Sequence, residues 1–268
     1  MVMCNCQTIV TIVLGFLTIP QLGICLILCY TSYVGKNLEK TMDRMRTKEK
    51  LYKSAQELFV EKGLSKTTVR EIADNVGVNS GLMHYYFKSK NKLALDILQS
   101  LFNEIYKIAD NHVDRNKEPH IFHGTMMRLH GYFLSTEENM SFYIDCLKKD
   151  IFEELALKNC LETIKKIDAF FGHNHEDSYL LLMQSITINA LRTMILKRES
   201  GLIDYPTEKI EIMEYKLFLS IFPATSPEVV DASVDKCTLL AGKLFSENQH
   251  LCDIRNLSPP SYRNNEGD

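Results

Sequence analysis

The stretch from Thr67 to Lys92, TTVREIADNVGVNSGLMHYYFKSKNK, constrains the fold more than any other part of the chain. At helical period, Val69, Ile72, Ala73 and Val76 share one apolar face, and Gly77 then supplies the left-handed conformation that a tight turn after a helix needs. Asn79 or Ser80 is placed to cap a second short helix, on which Leu82, Met83 and Tyr86 form another apolar face. Ala73 is small where the two helices must approach. This spacing predicts a helix-turn-helix, whose second helix enters the DNA major groove.

Charge supports a polyanionic partner for this region. Residues 44–92 hold 11 Lys+Arg against 5 Asp+Glu, whereas residues 93–268 hold 18 against 27. A basic module on an acidic body places one end on nucleic acid and keeps the other away from it. Asn79, Ser80, Leu82 and Tyr85 are the candidates for reading base edges, with Gly81 allowing close backbone approach. Lys48, Lys50 and Arg46 form either an arm on the DNA backbone or a solvated face.

The run T-T-V-R-E-I-A-x-x-V-G-V-N-S-G-L-M-H-Y-Y-F-K-S-K-x-K-L resembles the DNA-binding domain of TetR/AcrR-family transcriptional regulators. The preceding KEKLYKSAQELFVEKG (Lys48 to Gly63) is similar to that family's first helix, for which Thr47 is the expected N-cap. The resemblance implies phosphate contacts from Thr67 or Thr68, from Tyr86 or His84, and from Lys90. His84 stands where the family usually has tyrosine. The resemblance also implies a homodimer on double-stranded, palindromic operator DNA, and a helical body that takes a small-molecule inducer. No residue of that ligand site is assigned by the sequence.

Residues 1–35 carry no charged side chain, and Thr8 to Val34 is apolar enough to cross a bilayer. No basic region precedes it, which argues against a cleavable signal. Two readings stay open. In one, the leader is an over-extended start, since Met42 and Met45 stand where family members begin, and the protein is cytoplasmic. In the other it is an inner-membrane anchor, with Lys36, Lys40, Arg44, Arg46, Lys48 and Lys50 holding the DNA-binding part in the cytoplasm.

Beyond residue 92 the pattern is helical throughout, with helices expected at about 90–112, 119–135, 139–150, 150–171, 176–199, 207–222 and 227–247. The fold class is therefore all-α: a hydrophobic leader (1–42), a three-helix helix-turn-helix domain (43–92), a helical ligand-binding and dimerisation domain (93–250) and a loose tail (251–268). Ser178 to Arg198 is apolar around its circumference and is expected in the core or at a subunit interface. The eight cysteines lack the spacing of a disulfide framework and read as free thiols. His120, His123, His130, His173 and His175 do not converge with them in a metal-ligand pattern. Glu208, Glu211 and Glu214 read as an exposed helix face. Met126, Met127, Phe133, Phe142, Tyr143, Phe170, Phe171, Tyr179, Met183 and Met194 are either plain core or the wall of an apolar cavity. No catalytic motif, metal site or cofactor site is assigned. The function expected is a ligand-responsive DNA-binding regulator, a repressor released by its inducer. The rivals are a membrane-anchored helical interaction protein and a metal-dependent enzyme in the body.

Overall fold

The computed structural model describes residues 20–222 and 225–260, the side chains of residues 20–32 and of Lys36 excepted. The described residues form ten α-helices and two short 3-10 turns, with no strand among them. They are α1 (Pro20–Lys62), α2 (Val69–Val76), α3 (Ser80–Phe87), α4 (Lys90–Asp110), α5 (Pro119–Leu134), α6 (Glu137–Lys148), α7 (Ile151–Phe170), α8 (Asp177–Glu199), α9 (Thr207–Ser220) and α10 (Pro227–Glu247). The 3-10 turns span Gln249–Cys252 and Ile254–Asn256.

The chain divides into two units, residues 1–50 and residues 51–268. In the first, the described residues are helical, and Tyr33, Leu38, Met42 and Met45 are exposed. The expected N-cap at Thr47 is corrected: Thr47 lies within α1, and its hydroxyl donates to the Asp43 carbonyl at 2.9 Å. The expectation of a membrane-spanning leader falls largely on residues 1–19 and on side chains up to residue 32, outside the described residues.

In the second unit, the expected boundary between residues 92 and 93 is not a break in packing. One apolar core takes in Leu51, Tyr52, Ala55 and Phe59 of α1, Ile72 of α2, Met83 and Phe87 of α3, and the buried stripe of α4. It continues through α5, α6 and α7 to Leu257. The broad stripe of α4, from Leu93 to Ile105, explains this continuity, because it is wide enough to face the small head on one side and the body on the other.

Helix α5 is the axis of the body and is buried along nearly its whole length. Two glycines let α9 come against it. A Cβ at Gly124 would sit 2.4 Å from the Tyr215 ring, and one at Gly131 would sit 2.3 Å from the Glu211 carboxylate. Tyr215 then donates its hydroxyl proton to the His120 carbonyl. Helix α8 buries Leu180, Gln184, Thr187, Ile188, Leu191 and Ile195, but leaves Leu182, Ile186 and Met194 exposed. It is also the one helix among the described residues that is long and apolar enough to cross a membrane by length and composition.

The tail expectation needs correction from residue 251 to 257. Leu251, Ile254 and Leu257 are buried in the main core. Their backbone is held by polar side chains: the Asn139 amide donates to the Cys252 carbonyl at 2.9 Å, and Lys53 donates to the carbonyls of Arg255 and Leu257. The sequence L-C-D-I-R-N-L-S-P-P looked loose because Leu251, Ile254 and Leu257 are spaced by threes among mostly polar neighbours. Residues 261–268 lie outside the described residues.

Candidate nucleic-acid interface and ligand cavity

The helix-turn-helix is built by local capping. The Thr68 hydroxyl accepts from the Glu71 amide at 3.2 Å, while the Glu71 carboxylate accepts from the Thr68 amide at 2.8 Å, a reciprocal capping box. Lys62 donates to the same carboxylate, and with Thr68 it holds the Glu71 carboxyl down at about 2. Gly77 ends α2 at φ 71°, a conformation that costs glycine nothing. The Asn79 side chain accepts from the Gly81 amide at 2.7 Å and starts α3. Met83 and Phe87 root α3 in the core, and Ser89 caps α4 by accepting from the Lys92 amide.

With Met83 and Phe87 inward, α3 turns Ser80, Gly81, Leu82, His84 and Tyr85 outward. Tyr85 is 66% exposed and meets the Tyr86 ring edge-on, with centroids 5.0 Å apart. Leu82 is 36% exposed. Asn79, also exposed, is engaged as a cap, so its carbonyl oxygen is directed at its own helix. His84 is exposed with Nδ1 3.1 Å from the Lys88 carbonyl, which fixes Nδ1 as the proton-bearing nitrogen in that contact. Tyr86 is half-buried against the core. Thr68 is exposed at the α2 N-terminus, where backbone amides favour an anion.

Two expected phosphate contacts are placed elsewhere. Thr67 is buried, and its hydroxyl donates to the carbonyls of Gly63 at 2.8 Å and Leu58 at 3.2 Å. The Lys90 ammonium turns back into the α1–α2 connection and donates to the carbonyls of Leu64 at 2.6 Å and Thr67 at 2.5 Å. Desolvation lowers its pKa, and Lys149 adds to that. Lys66 and Lys88, which the sequence reading passed over, are exposed cations of the head. The signal for them was available, since each lies just outside a short helix.

The body holds a narrow cavity among α4, α5, α6, α7, α8 and α9 that opens to the surface. Its apolar wall includes Phe102, Met126, Met127, Tyr143, Phe152 and Phe218. Of the residues considered from sequence, Met126, Met127 and Tyr143 line it, whereas Phe133 and Phe142 are solid core and Met194 is on the surface. The expectation of an exposed acidic face at 208, 211 and 214 is corrected. Glu208 stays exposed, but Glu211 and Glu214 are buried at the cavity, 6% and 5% exposed. The Arg128 guanidinium lies 3.1 Å from Glu211 and 3.5 Å from Glu208. Burial raises the Glu211 carboxyl to about 7 against the pull of Arg128, and burial together with Glu211 raises Glu214 to about 8.

The histidines are used in packing. His120 stacks on Phe170 at 4.6 Å, His123 meets Phe218 at 4.8 Å and His130 meets Phe102 at 5.5 Å. Burial lowers His123 and His130 to about 4, so both are neutral imidazoles at neutral pH. Among the described residues no group of three His, Cys, Asp or Glu is placed to hold a metal ion. Cys146, Cys160, Cys237 and Cys252 are free thiols. Burial raises Cys146 well above the ordinary thiol range and Cys160 to about 12, which leaves both unreactive.

Comparison with known proteins agrees with this arrangement. The profile described as "Bacterial regulatory proteins, tetR family" matches residues 51–97, which is α1 from its first core residue through the start of α4. The HTH-type transcriptional repressor KstR2 of Mycobacterium tuberculosis is 32% identical over 88 residues, 33% of this chain and 41% of that protein. The chain thus spans about two-fifths of KstR2's length. The HTH-type transcriptional regulator QacR of Staphylococcus aureus is 29% identical over 130 residues, 47% of this chain and 68% of that protein. The fold is that of RolR, solved in complex with resorcinol: the two superpose with a TM-score of 0.53 at 16% identity, over 72% of this chain and 95% of that one. The capped helix-turn-helix head of this chain, residues 51–97, thus matches the tetR family of bacterial regulatory proteins, and the chain shares the all-helical fold of RolR.

Proposed function

We propose that this protein is a homodimeric repressor that sits on a palindromic operator in the cytoplasm and leaves it when a small molecule fills the cavity of the body. The observation that carries the reading is the division of α3: Met83 and Phe87 fix it to the core, while Leu82, His84 and Tyr85 stand free on the opposite side. Such a helix presents side chains to base edges at little cost in packing. We assign base reading to Ser80, Leu82 and Tyr85, and backbone contacts to Thr68, His84, Lys66 and Lys88.

A dimer is supported by the surface of α8 and α9. Leu182, Ile186 and Met194 on α8, and Met213 and Leu217 on α9, are exposed apolar residues at helical spacing on two helices that pack together. An apolar surface of this kind is characteristic of an interface. The names of relatives support the direction of control, since KstR2 is a repressor and RolR was solved with a small aromatic ligand. Ligand and DNA need not touch. The ligand has only to favour a dimer whose two α3 helices are wrongly spaced for successive major grooves.

The test is binding of the purified protein to fragments of its own upstream DNA, followed by fluorescence anisotropy across a salt series. The expected result is saturable binding to one fragment, two protomers per site, with affinity that falls steeply as salt rises because several phosphate contacts release counterions. Binding that ignores salt and sequence would overturn the reading.

A further inference from the structure

The ligand-controlled reading above leaves the chemistry of the ligand open, and the polar atoms of the cavity narrow it. Four buried side-chain atoms that line it have no hydrogen-bond partner: Glu214 Oε1, Gln184 Oε1, His130 Nε2 and Arg128 Nε. Three of the four are acceptors. For Gln184 the orientation is set by its Nε2, which donates to the Ala156 carbonyl and so leaves the oxygen free. For His130, Nδ1 lies 2.8 Å from the Met126 carbonyl and must carry the proton there, so the neutral ring presents a lone pair at Nε2. The residues carrying these atoms are 7% exposed or less.

The charges point the same way. The titratable and charged groups facing the cavity are His123, Arg128 and His130 from α5, Tyr143 from α6, Cys160 from α7, and Glu211 and Glu214 from α9. The histidines, tyrosine and thiol are neutral. The one cation, Arg128, is paired with Glu211 and Glu208 and is covered by the Tyr132 ring and hydroxyl. Glu214 has no cation of its own. A buried carboxyl in that position can stay protonated, or it can ionise against a cation brought by a ligand. The aromatic wall of Phe102, Tyr143, Phe152 and Phe218 suits the same occupant, since ring faces attract a cation.

We propose that the cavity takes a primary or secondary organic ammonium with an apolar or aromatic body, whose N–H groups donate to Glu214, Gln184 and His130. Binding exchanges one positive charge for another: the Glu214 carboxyl gives its proton to solvent as the ammonium arrives. An anionic ligand would meet Glu214 unfavourably. A neutral ligand with hydroxyl donors would satisfy some acceptors and release no proton.

The full chain is tested with phenethylammonium chloride against phenethyl alcohol and phenylacetate, by thermal shift and by calorimetry in two buffers of different ionisation enthalpy at pH 7. The ammonium is expected to bind at least about tenfold more tightly than the alcohol, ~1.4 kcal/mol, with net release approaching one proton. Glu214→Gln should erase the preference and the proton release while still binding the alcohol. Gln184→Leu, which keeps the carboxylate, should weaken the ammonium and retain proton release. Equal or tighter binding of alcohol or phenylacetate, no response to the ammonium, or ammonium binding without proton release overturns the proposal. Operator affinity is read separately. If the ammonium binds and releases a proton but DNA stays bound, ligand control fails and this site stands. If the alcohol or the anion releases the DNA, ligand control stands and the ammonium assignment fails.

Discussion

Replacing Lys90 with methionine separates a phosphate contact from a structural pin. The ammonium donates to the Leu64 and Thr67 carbonyls, with the Ser65 carbonyl at 3.5 Å, and so ties the connection between α1 and α2 to the first turn of α4. Methionine keeps the length and the apolar stem but offers no donor. A hydrogen bond from a charged group is worth about 1.5–3 kcal/mol. The two short contacts together set an upper range near twice that. The connection is partly solvated, however, and water takes over some of the freed carbonyls. The expected net loss is therefore about 2 kcal/mol, or a fall in Tm of ~4–8 °C for a unit of this size. If the ammonium touched a phosphate instead, stability would hardly change and the slope of log K against log salt would fall by about one. The assay is thermal unfolding alongside an operator salt series, with Lys66→Ala and Lys88→Ala as comparators. Those exposed cations should show the opposite pattern, an altered slope with Tm unmoved. A Lys90→Met protein with normal Tm and a reduced slope would refute the structural assignment.

Tyr85→Ala should flatten sequence preference at one position of each half-site by about 1–3 kcal/mol with little change in Tm, because the ring is exposed; identical logos from binding-site selection on wild type and variant would show that it reads nothing. Ending the chain at His250 removes three buried residues, Leu251, Ile254 and Leu257, and should lower the unfolding free energy by several kcal/mol at about 1.5–3 per side chain, read as a lower urea midpoint; an unchanged midpoint would mean that the segment is not packed. Ile186→Glu with Leu217→Glu should convert the dimer to monomer in light scattering and abolish operator binding, while a dimer that survives places the interface elsewhere. Stability should fall from pH ~6.5 to ~8.5 at up to ~1.4 kcal/mol per pH unit per group. Glu211 and Glu214, held near 7 and 8, lose protons on unfolding in that window, whereas His123 and His130, held near 4, offset them only below about 6.5. Urea midpoints at the two ends check the sign, and Glu214→Gln should reduce the slope.

Helix ends were legible because each carries its own chemistry. Gly77 and Ser89 in the head, and Pro119, Gly201 and Pro227 in the body, stop or start helices by backbone conformation or capping, and the structure has ends within a few residues of each. The rotation of α3 was legible only in part: Met83 is buried as its spacing predicts, but Leu82 is exposed and Tyr86 half-buried, and Phe87 completes the buried face. Direction beyond the helix was not. A lysine at the start of a helix reads the same whether it meets phosphate or the carbonyls of a distant connection, and only the fold brings Leu64 and Thr67 under Lys90. Glu211 and Glu214 were hidden by their spacing. Glu208, Glu211 and Glu214 recur at three-residue spacing like a solvated helix stripe, so periodicity pointed them outward, and the buried Arg128 that answers Glu211 is 83 residues away.

The helix that connects these sites is α4. At its first residue Lys90 holds the α1–α2 connection, and about 18 Å further along, at 1.5 Å per residue, Phe102 forms part of the cavity wall. Between them Ser100 accepts from the Tyr52 hydroxyl of α1 at 3.0 Å, and Gln99 exchanges hydrogen bonds with Asn159 of α7. A helix packed and hydrogen-bonded on both sides bends at a cost in packing, so a shift at one end is carried along it. On the proposed ligand control, a ligand that displaces Phe102 would act on the head through contacts at the far end of the same helix. Taking an operator from nearly full to nearly empty requires about 5.5 kcal/mol of difference in ligand affinity between the two arrangements. A buried carboxyl without a cation beside it can supply part of that difference, if the proposed ammonium reaches Glu214 better in one arrangement than in the other. On the proposed ligand control, a variant at Phe102 or at Lys90 should change the ligand's effect on DNA without any change in the residues that touch the bases.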